Sequence, residues 1–407
     1  MRLSMHAVWS AVVLLVPAVT EGADQKPAET LAAIKKEQEA AWSELKNGRK
    51  PGTTDAEQKK AVERFYKSVG DLGRRAVALA KRYPDSPDAA EALVWAHFAT
   101  TEDDPELAGL IYDMLAERYL DSDAILPLCR HAWTDAVKGT HTEAFLRAAV
   151  ERSKNVKVRS LCCYSLGRHQ QKLASWVRNL NDPVRGEIIL RHLGRFREGV
   201  NGRLRALDPE KLEHEAEECF DRTIKEFGDL QPMGKDFAPL REQAAGALFK
   251  MHHLSIGRPA PDIQGEDIDG KPMKLSDFRG KVVVVSFWAT WCGPCMALVP
   301  HEKALVEKFK ARPLVLVGVN GDEDRETVKT VSAKEGITWR SFWNGGWRQG
   351  IPVQWGIRYW PTLYVIDGNG VIRDNGLVFF QESLYGTSTS DKMIEALVAE
   401  AEKASKR

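Results

Sequence analysis

Two cysteines separated by two residues, Cys292-Gly293-Pro294-Cys295, are the groups in this 407-residue chain best spaced for chemistry. Thiols one helical turn apart can close into a small disulfide ring and open again, and a thiolate is the species that attacks disulfides. The flanking residues say what must hold them. Val282–Val285 is a β-branched run, which favours a buried strand. After Cys295, apolar residues at Leu298, Leu305, Val306 and Phe309 follow helical spacing. Cys292 is therefore expected at a helix N-terminus, where free N–H groups and the positive dipole end favour a thiolate. Pro294 suits the first turn, where its missing N–H costs nothing.

Trp291-Cys292-Gly293-Pro294-Cys295 resembles the thioredoxin superfamily. The segments IGRPAPDI and LSDFRGK, together with the apolar leader, resemble its TlpA/ResA-type extracytoplasmic branch. The resemblance covers residues 256–407. It implies a thioredoxin-like α/β fold, with Cys292 as the exposed nucleophile and Cys295 as the buried resolving thiol. It also implies that Pro361 is the cis proline packed beside the cysteines. Trp291, Gly293, Pro294, Trp360 and Pro361 form the implied substrate-binding set, with Trp288 as support. No cofactor or metal is implied beyond the Cys292–Cys295 pair itself. Implied partners are protein disulfides and a thiol–disulfide electron donor. Two positions depart from the pattern. Thioredoxins carry a buried Asp where this chain has Ser286, and ResA-like proteins carry a Glu where it has Leu298. His301 and Glu302 lie further along the helix with no role assigned by the sequence.

Other readings of the pair are weaker. So small a ring constrains little of the unfolded chain, which argues against a purely structural disulfide. A zinc site would need a second pair of ligands, and there is no other C-x-x-C. A peroxidase would place a Thr three residues before its Cys, whereas Thr290 is two before Cys292. A redox fold kept without activity is the remaining alternative, given the missing acids.

The rest of the chain must be organised around this site. Its 43% hydrophobic and 28% charged residues are those of a globular protein long enough for two or three domains. A net charge of +1 without long single-sign blocks points away from nucleic acid as partner. Residues 1–23 read as a signal peptide: Arg2, then the apolar run Ala7–Val16, then small residues. That predicts a secreted or periplasmic protein, membrane-anchored only if the segment stays uncleaved.

Residues 24–254 read as an all-α domain. LAKRYPDS at Leu79 is echoed by LAERYLDS at Leu115, 36 residues on, and weakly by TIKEFGD at Thr223. The echo resembles tetratricopeptide-like solenoids, with an irregular bundle as the alternative. Trp42, Trp95, Trp133 and Trp176 are expected in inter-helix packing, with a peptide groove as the sharper alternative. Cys129, Cys162, Cys163 and Cys219 are expected as buried small hydrophobes. Residues 255–261, SIGRPAP, form a linker, and 262–407 the thioredoxin-like domain. Within it, hairpin turns are expected at Asp269-Gly270 and Asn369-Gly370, a helix over Arg325–Glu335, an irregular loop over 341–354, and a final helix over 392–405.

The function that follows is an extracytoplasmic thiol–disulfide oxidoreductase, with Gly-Pro between the cysteines resembling the reducing members. The alternative is an interaction scaffold, in which the helical domain binds a partner and the redox domain is secondary or inert.

Overall fold

The computed structural model describes residues 26–48, 53–100, 104–136, 139–182, 185–186, 190, 197–357, 359–375 and 389–405. The expected signal peptide lies outside them. The chain divides into two compact units, Met1–Leu115 and Ala116–Arg407.

The first unit is helical: α1 (Pro27–Asn47), α2 (Asp55–Arg82), α3 (Pro87–Thr100) and the start of α4 (Pro105–Arg118). Local chemistry sets the boundaries. Thr54 and Glu57 form a reciprocal capping box at the start of α2. Pro87 and Pro105 occupy first-turn positions of α3 and α4. Trp42 departs from the packing expectation. It is 48% exposed and leans on Phe65 with ring centroids 5.0 Å apart.

In the second unit α5 (Leu126–His131), α6 (His141–Arg152), α7 (Val156–Asn181), α8 (Arg197–Arg205), α9 (Pro209–Phe227) and α10 (Leu240–His253) continue the helical run. The echoed segments end α2, α4 and α9 in turn. Cys129, Cys162 and Cys163 are buried and Cys219 is half-buried. They meet in pairs across helices: Cys162 lies against Cys129, and the Cys163 thiol donates to the Cys219 carbonyl at 3.5 Å. Burial pushes the Cys162 thiol well up and the Cys219 thiol up to about 12, so neither is a nucleophile at neutral pH.

Among the described residues the sheet holds seven strands in the order β2-β1-β5-β4-β3-β6-β7. These are β1 (Gln264–Asp267), β2 (Pro272–Lys274), β3 (Val282–Trp288), β4 (Leu314–Asn320), β5 (Ser341–Trp343), β6 (Thr362–Ile366) and β7 (Ile372–Asp374). β3 runs parallel to β4, which runs parallel to β5; β6 is antiparallel to β3. β3 is buried along its whole length, as a central strand covered on both faces must be. Val283, Val285 and Phe287 enter one core layer with Trp355 and Tyr364. Val282 and Val284 enter the other, beneath α11 (Gly293–Lys308) and α14 (Thr389–Ala404). Each such side chain contributes roughly 1.5–3 kcal/mol on burial.

α12 (Arg325–Glu335) starts on Asp324, whose carboxylate accepts the Thr327 N–H at 2.9 Å, and stops at Gly336, whose φ of 68° suits glycine. Both hairpin turns fall at Gly270 and Gly370. The segment expected as an irregular loop is not one throughout. It contains β5 and the short helix α13 (Gly350–Gln354). β5 is three residues long, and its pairing with β1 and β4 comes from distant segments rather than from a local pattern. Residues 255–261 run against β7: the Gly257 and Ala260 N–H groups donate to the Ile372 and Gly370 carbonyls at 2.8 and 2.9 Å.

Candidate functional site

β3 ends at Trp288 and α11 begins at Gly293, so Cys292 is the N-cap of the helix. Its sulfur accepts a hydrogen bond from the Cys295 N–H at 3.1 Å. Cys292 and Cys295 are joined as a disulfide, with Cα atoms 5.2 Å apart. The expectation of an exposed Cys292 needs correction. In this oxidised form it is 5% exposed and packs with Trp288, Ala289 and Val328, with Met296 and Trp360 against them. Gly293 and Pro294 are the exposed members of the turn.

The Trp360–Pro361 peptide bond is cis. Trp360 reaches the motif and meets Trp291 edge to face, centroids 5.8 Å apart. Trp291 is 55% exposed and also approaches Trp347, at 6.4 Å. Nothing in the sequence singles out Trp347. It sits in the segment between β5 and α13, which reads as irregular, and it widens the exposed aromatic surface beside the cysteines. Trp288, in contrast, is buried and donates from Nε1 to the Ser341 hydroxyl at 3.2 Å. It supports the site rather than lining its surface.

The turn that carries Trp291 is anchored by a carboxylate that the sequence marks only as part of a plain turn. Buried Asp322 accepts from the Thr290 N–H at 2.9 Å, the Thr290 hydroxyl at 2.5 Å and Asn320 Nδ2 at 2.8 Å. Beside it, Gly321 lies under the Trp360 ring: an added Cβ would come within 2.5 Å of that ring. A glycine after a strand, followed by Asp, is the only sequence sign of this anchor.

Behind Cys295, α11 presents a buried stripe of Cys295, Leu298, Val299, Glu302 and Leu305 toward the sheet. Glu302 is 2% exposed, which its type does not suggest. Burial pushes its carboxyl up to about 7, against a smaller opposing effect from Ser286. The Leu298 position is apolar core. Among the described residues no group of His, Cys, Asp or Glu is placed to hold a metal ion.

Comparison with known proteins places this domain among redoxins. Residues 256–375 match the AhpC/TSA family. The thiol-disulfide oxidoreductase ResA of Bacillus thuringiensis is 31% identical over 127 residues, spanning 31% of this chain and 72% of that protein. The thioredoxin-like protein YneN of Bacillus subtilis is 33% identical over 121 residues, 30% of this chain and 71% of that one. The solved thioredoxin domain of a thiol-disulfide oxidoreductase from Bacteroides vulgatus is 26% identical, covering 34% of this chain and 98% of that one, with a TM-score of 0.30.

Proposed function

The chain belongs to the ResA-like, thioredoxin-like thiol–disulfide oxidoreductases, and we propose that it reduces disulfides in other proteins, outside the cytoplasm, through Cys292 and Cys295. The observation that carries this reading is the Cys295 N–H donating to the Cys292 sulfur at the head of α11. A thiolate there is favoured by that bond and by the helix dipole.

In the reduced enzyme the Cys292 thiolate attacks one sulfur of a client disulfide. A mixed disulfide forms and the first client thiolate leaves, taking a proton from solvent. The Cys295 sulfur then attacks that of Cys292 and releases the second client thiol. Two electrons have moved to the client, and the enzyme holds a Cys292–Cys295 disulfide. A dithiol partner must reduce it again. Trp291, Trp360, Gly293 and Pro294 form the surface on which the client rests, with Trp347 added to it, while Pro361 is buried and supports that surface from beneath.

Location outside the cytoplasm rests on the apolar leader at residues 1–23. Among the described residues no helix is long and apolar enough to cross a membrane. The reading also divides the chain into a repeat-like helical domain, 24–254, and a redox domain, 262–407, joined by 255–261.

Insulin-disulfide reduction by the full mature chain tests the reading: Cys292→Ser should abolish it. The reduction potential tests direction. A value near the thioredoxin end, about −270 mV, supports a reductase, and one near about −120 mV makes the protein an oxidant.

A second reading, an interaction scaffold, is favoured by one observation. Trp133 and Trp176 line a cavity of about 850 Å³ together with Arg168 and Lys172, and with Thr362 and Tyr364 of β6. If the helices serve as a scaffold alone, partner binding survives Cys292→Ser and falls with Trp176→Ala. If they select clients for the redox site, Trp176→Ala lowers turnover of a protein disulfide and spares a small one.

A further inference from the structure

A resolving cysteine that is buried as a thiol must lose its proton before it can attack, and a buried thiolate is costly without help. Both positions where related proteins keep an acid for this purpose are apolar or neutral here, at Leu298 and Ser286. We propose that Glu302, set against Ser286 and on the same helical stripe as Cys295, takes the proton of Cys295 when that sulfur resolves a mixed disulfide. The inference rests on the reading of Cys292 and Cys295 as an exchange dithiol.

Three observations carry it. First, Cys295 and Glu302 are seven residues apart on α11, which returns a side chain to within about 20° of the same face. Both are buried on the stripe that faces the sheet. The rise between them is about 10.5 Å, and helical side chains lean toward the N-terminus, so the longer one reaches back toward the shorter.

Second, the surroundings are apolar. Alternation along β3 puts Ser286 on the face of Val282 and Val284, the layer that receives Leu298 and Leu305 from α11. The elements packed on this layer present Val284 from β3, Leu316 from β4, Leu363 and Val365 from β6, and Ile394 and Val398 from α14. None of these titrates. On its own helix the nearby titratable groups are Cys295 and His301, the latter half-buried.

Third, the Glu302 carboxyl and the Ser286 hydroxyl meet inside this layer, and the contact lowers the carboxyl against burial, while Glu302 Oε1 makes no well-formed hydrogen bond there. A buried carboxyl and hydroxyl set together in one apolar layer are unusual in a core that only needs to pack. Burial also holds the carboxyl near neutrality, at about 7, where it can both accept and return a proton within one cycle.

The step balances as follows. The Cys295 S–H proton passes to the Glu302 carboxylate. The electron pair left on sulfur forms the Cys295–Cys292 bond, while the bond from Cys292 to the client breaks. The client sulfur leaves as a thiolate and is protonated by solvent. When a dithiol partner later reduces the enzyme, Glu302 returns the proton to Cys295.

The test uses the full mature chain and 5,5′-dithiobis(2-nitrobenzoate). Reduced enzyme should release chromophore in two phases, the first from attack by Cys292 and the second from resolution by Cys295. In the native protein the second phase should titrate near 7. Glu302→Gln and Glu302→Leu should slow it about tenfold or more at pH 7 and move its midpoint up into the thiol range, leaving the first phase within about twofold. Leucine at this position extends the apolar layer, so that variant keeps the fold. Adding Ser286→Asp to Glu302→Leu should restore the fast second phase by returning a carboxylate to the same layer. Resolution at the native rate with an unchanged midpoint in both single variants overturns the proposal. Loss of both phases in the native protein would instead overturn the dithiol reading beneath it.

Discussion

The backbone N–H of Cys295 points at the sulfur of Cys292 from 3.1 Å. The same donor that meets a disulfide sulfur here is available to a thiolate once the bond opens. A charge-assisted bond is roughly twice as strong as a neutral one, so the donor favours reduced Cys292 in its ionised form. We expect iodoacetamide to label Cys292 before Cys295 in the reduced protein, with a midpoint below the free-thiol value of about 8.5. Mass mapping of the alkylated peptide across a pH series measures both. Preferential labelling of Cys295 would reverse the assigned roles.

Trp291 and Trp347 stand exposed beside the cysteines. Removing either should weaken client binding more than chemistry. Each truncation is expected to raise KM for a protein disulfide several-fold, about 1 kcal/mol, with kcat within about twofold. Steady-state kinetics on Trp291→Ala and Trp347→Ala decide it. A loss confined to kcat would mean that the rings shape the cysteines instead.

Asp322 holds the turn before the motif by three hydrogen bonds to Thr290 and Asn320. Asp322→Ala leaves the Thr290 N–H without its carboxylate and should cost about 2–3 kcal/mol of stability. Turnover should fall about tenfold as the turn loosens, and Asp322→Asn should lie between the two. Urea unfolding and insulin reduction on the three proteins give both numbers, and native turnover in Asp322→Ala would free the turn from this anchor.

Glu302 links stability to pH. Its carboxyl is raised from an ordinary 4.5 to about 7 in the folded state by burial. The folded protein therefore binds this proton more tightly than the unfolded chain. That contribution is fully present below about 4.5 and is lost as pH rises through about 7, amounting to about 3 kcal/mol at most. Buried His169, lowered by burial to about 4, acts in the opposite sense, losing stability as pH falls from 6.5. The difference between native and Glu302→Gln unfolding, taken at pH 5 and pH 8, isolates the first effect. Equal differences at both values would refute it.

How much of this is legible in the sequence follows from how local each signal is. The β-branched run of β3, the helical spacing after Cys295 and the Asp324 and Gly336 caps of α12 are read within a few residues, and the structure has these elements there. β5 escapes such a reading because three residues carry no periodicity of their own. The sequence assigns Glu302 no role, and only the sheet packed over its stripe buries it. Trp347 and Asp322 carry no motif.

The sequence by itself determined that a C-x-x-C joins a buried strand to a helix, and hence which chemistry the chain can perform. Its backbone cues act over one or two turns, and that suffices to place a thiol at a helix N-terminus. Only the tertiary structure decided what surrounds that thiol. It brought Trp360 against Trp291, Asp322 under Thr290, and a carboxyl into the apolar layer behind Cys295. Those relationships join segments far apart in the chain. Burial, which raises the Glu302 carboxyl, is a property of the packed layers and not of any stretch of residues.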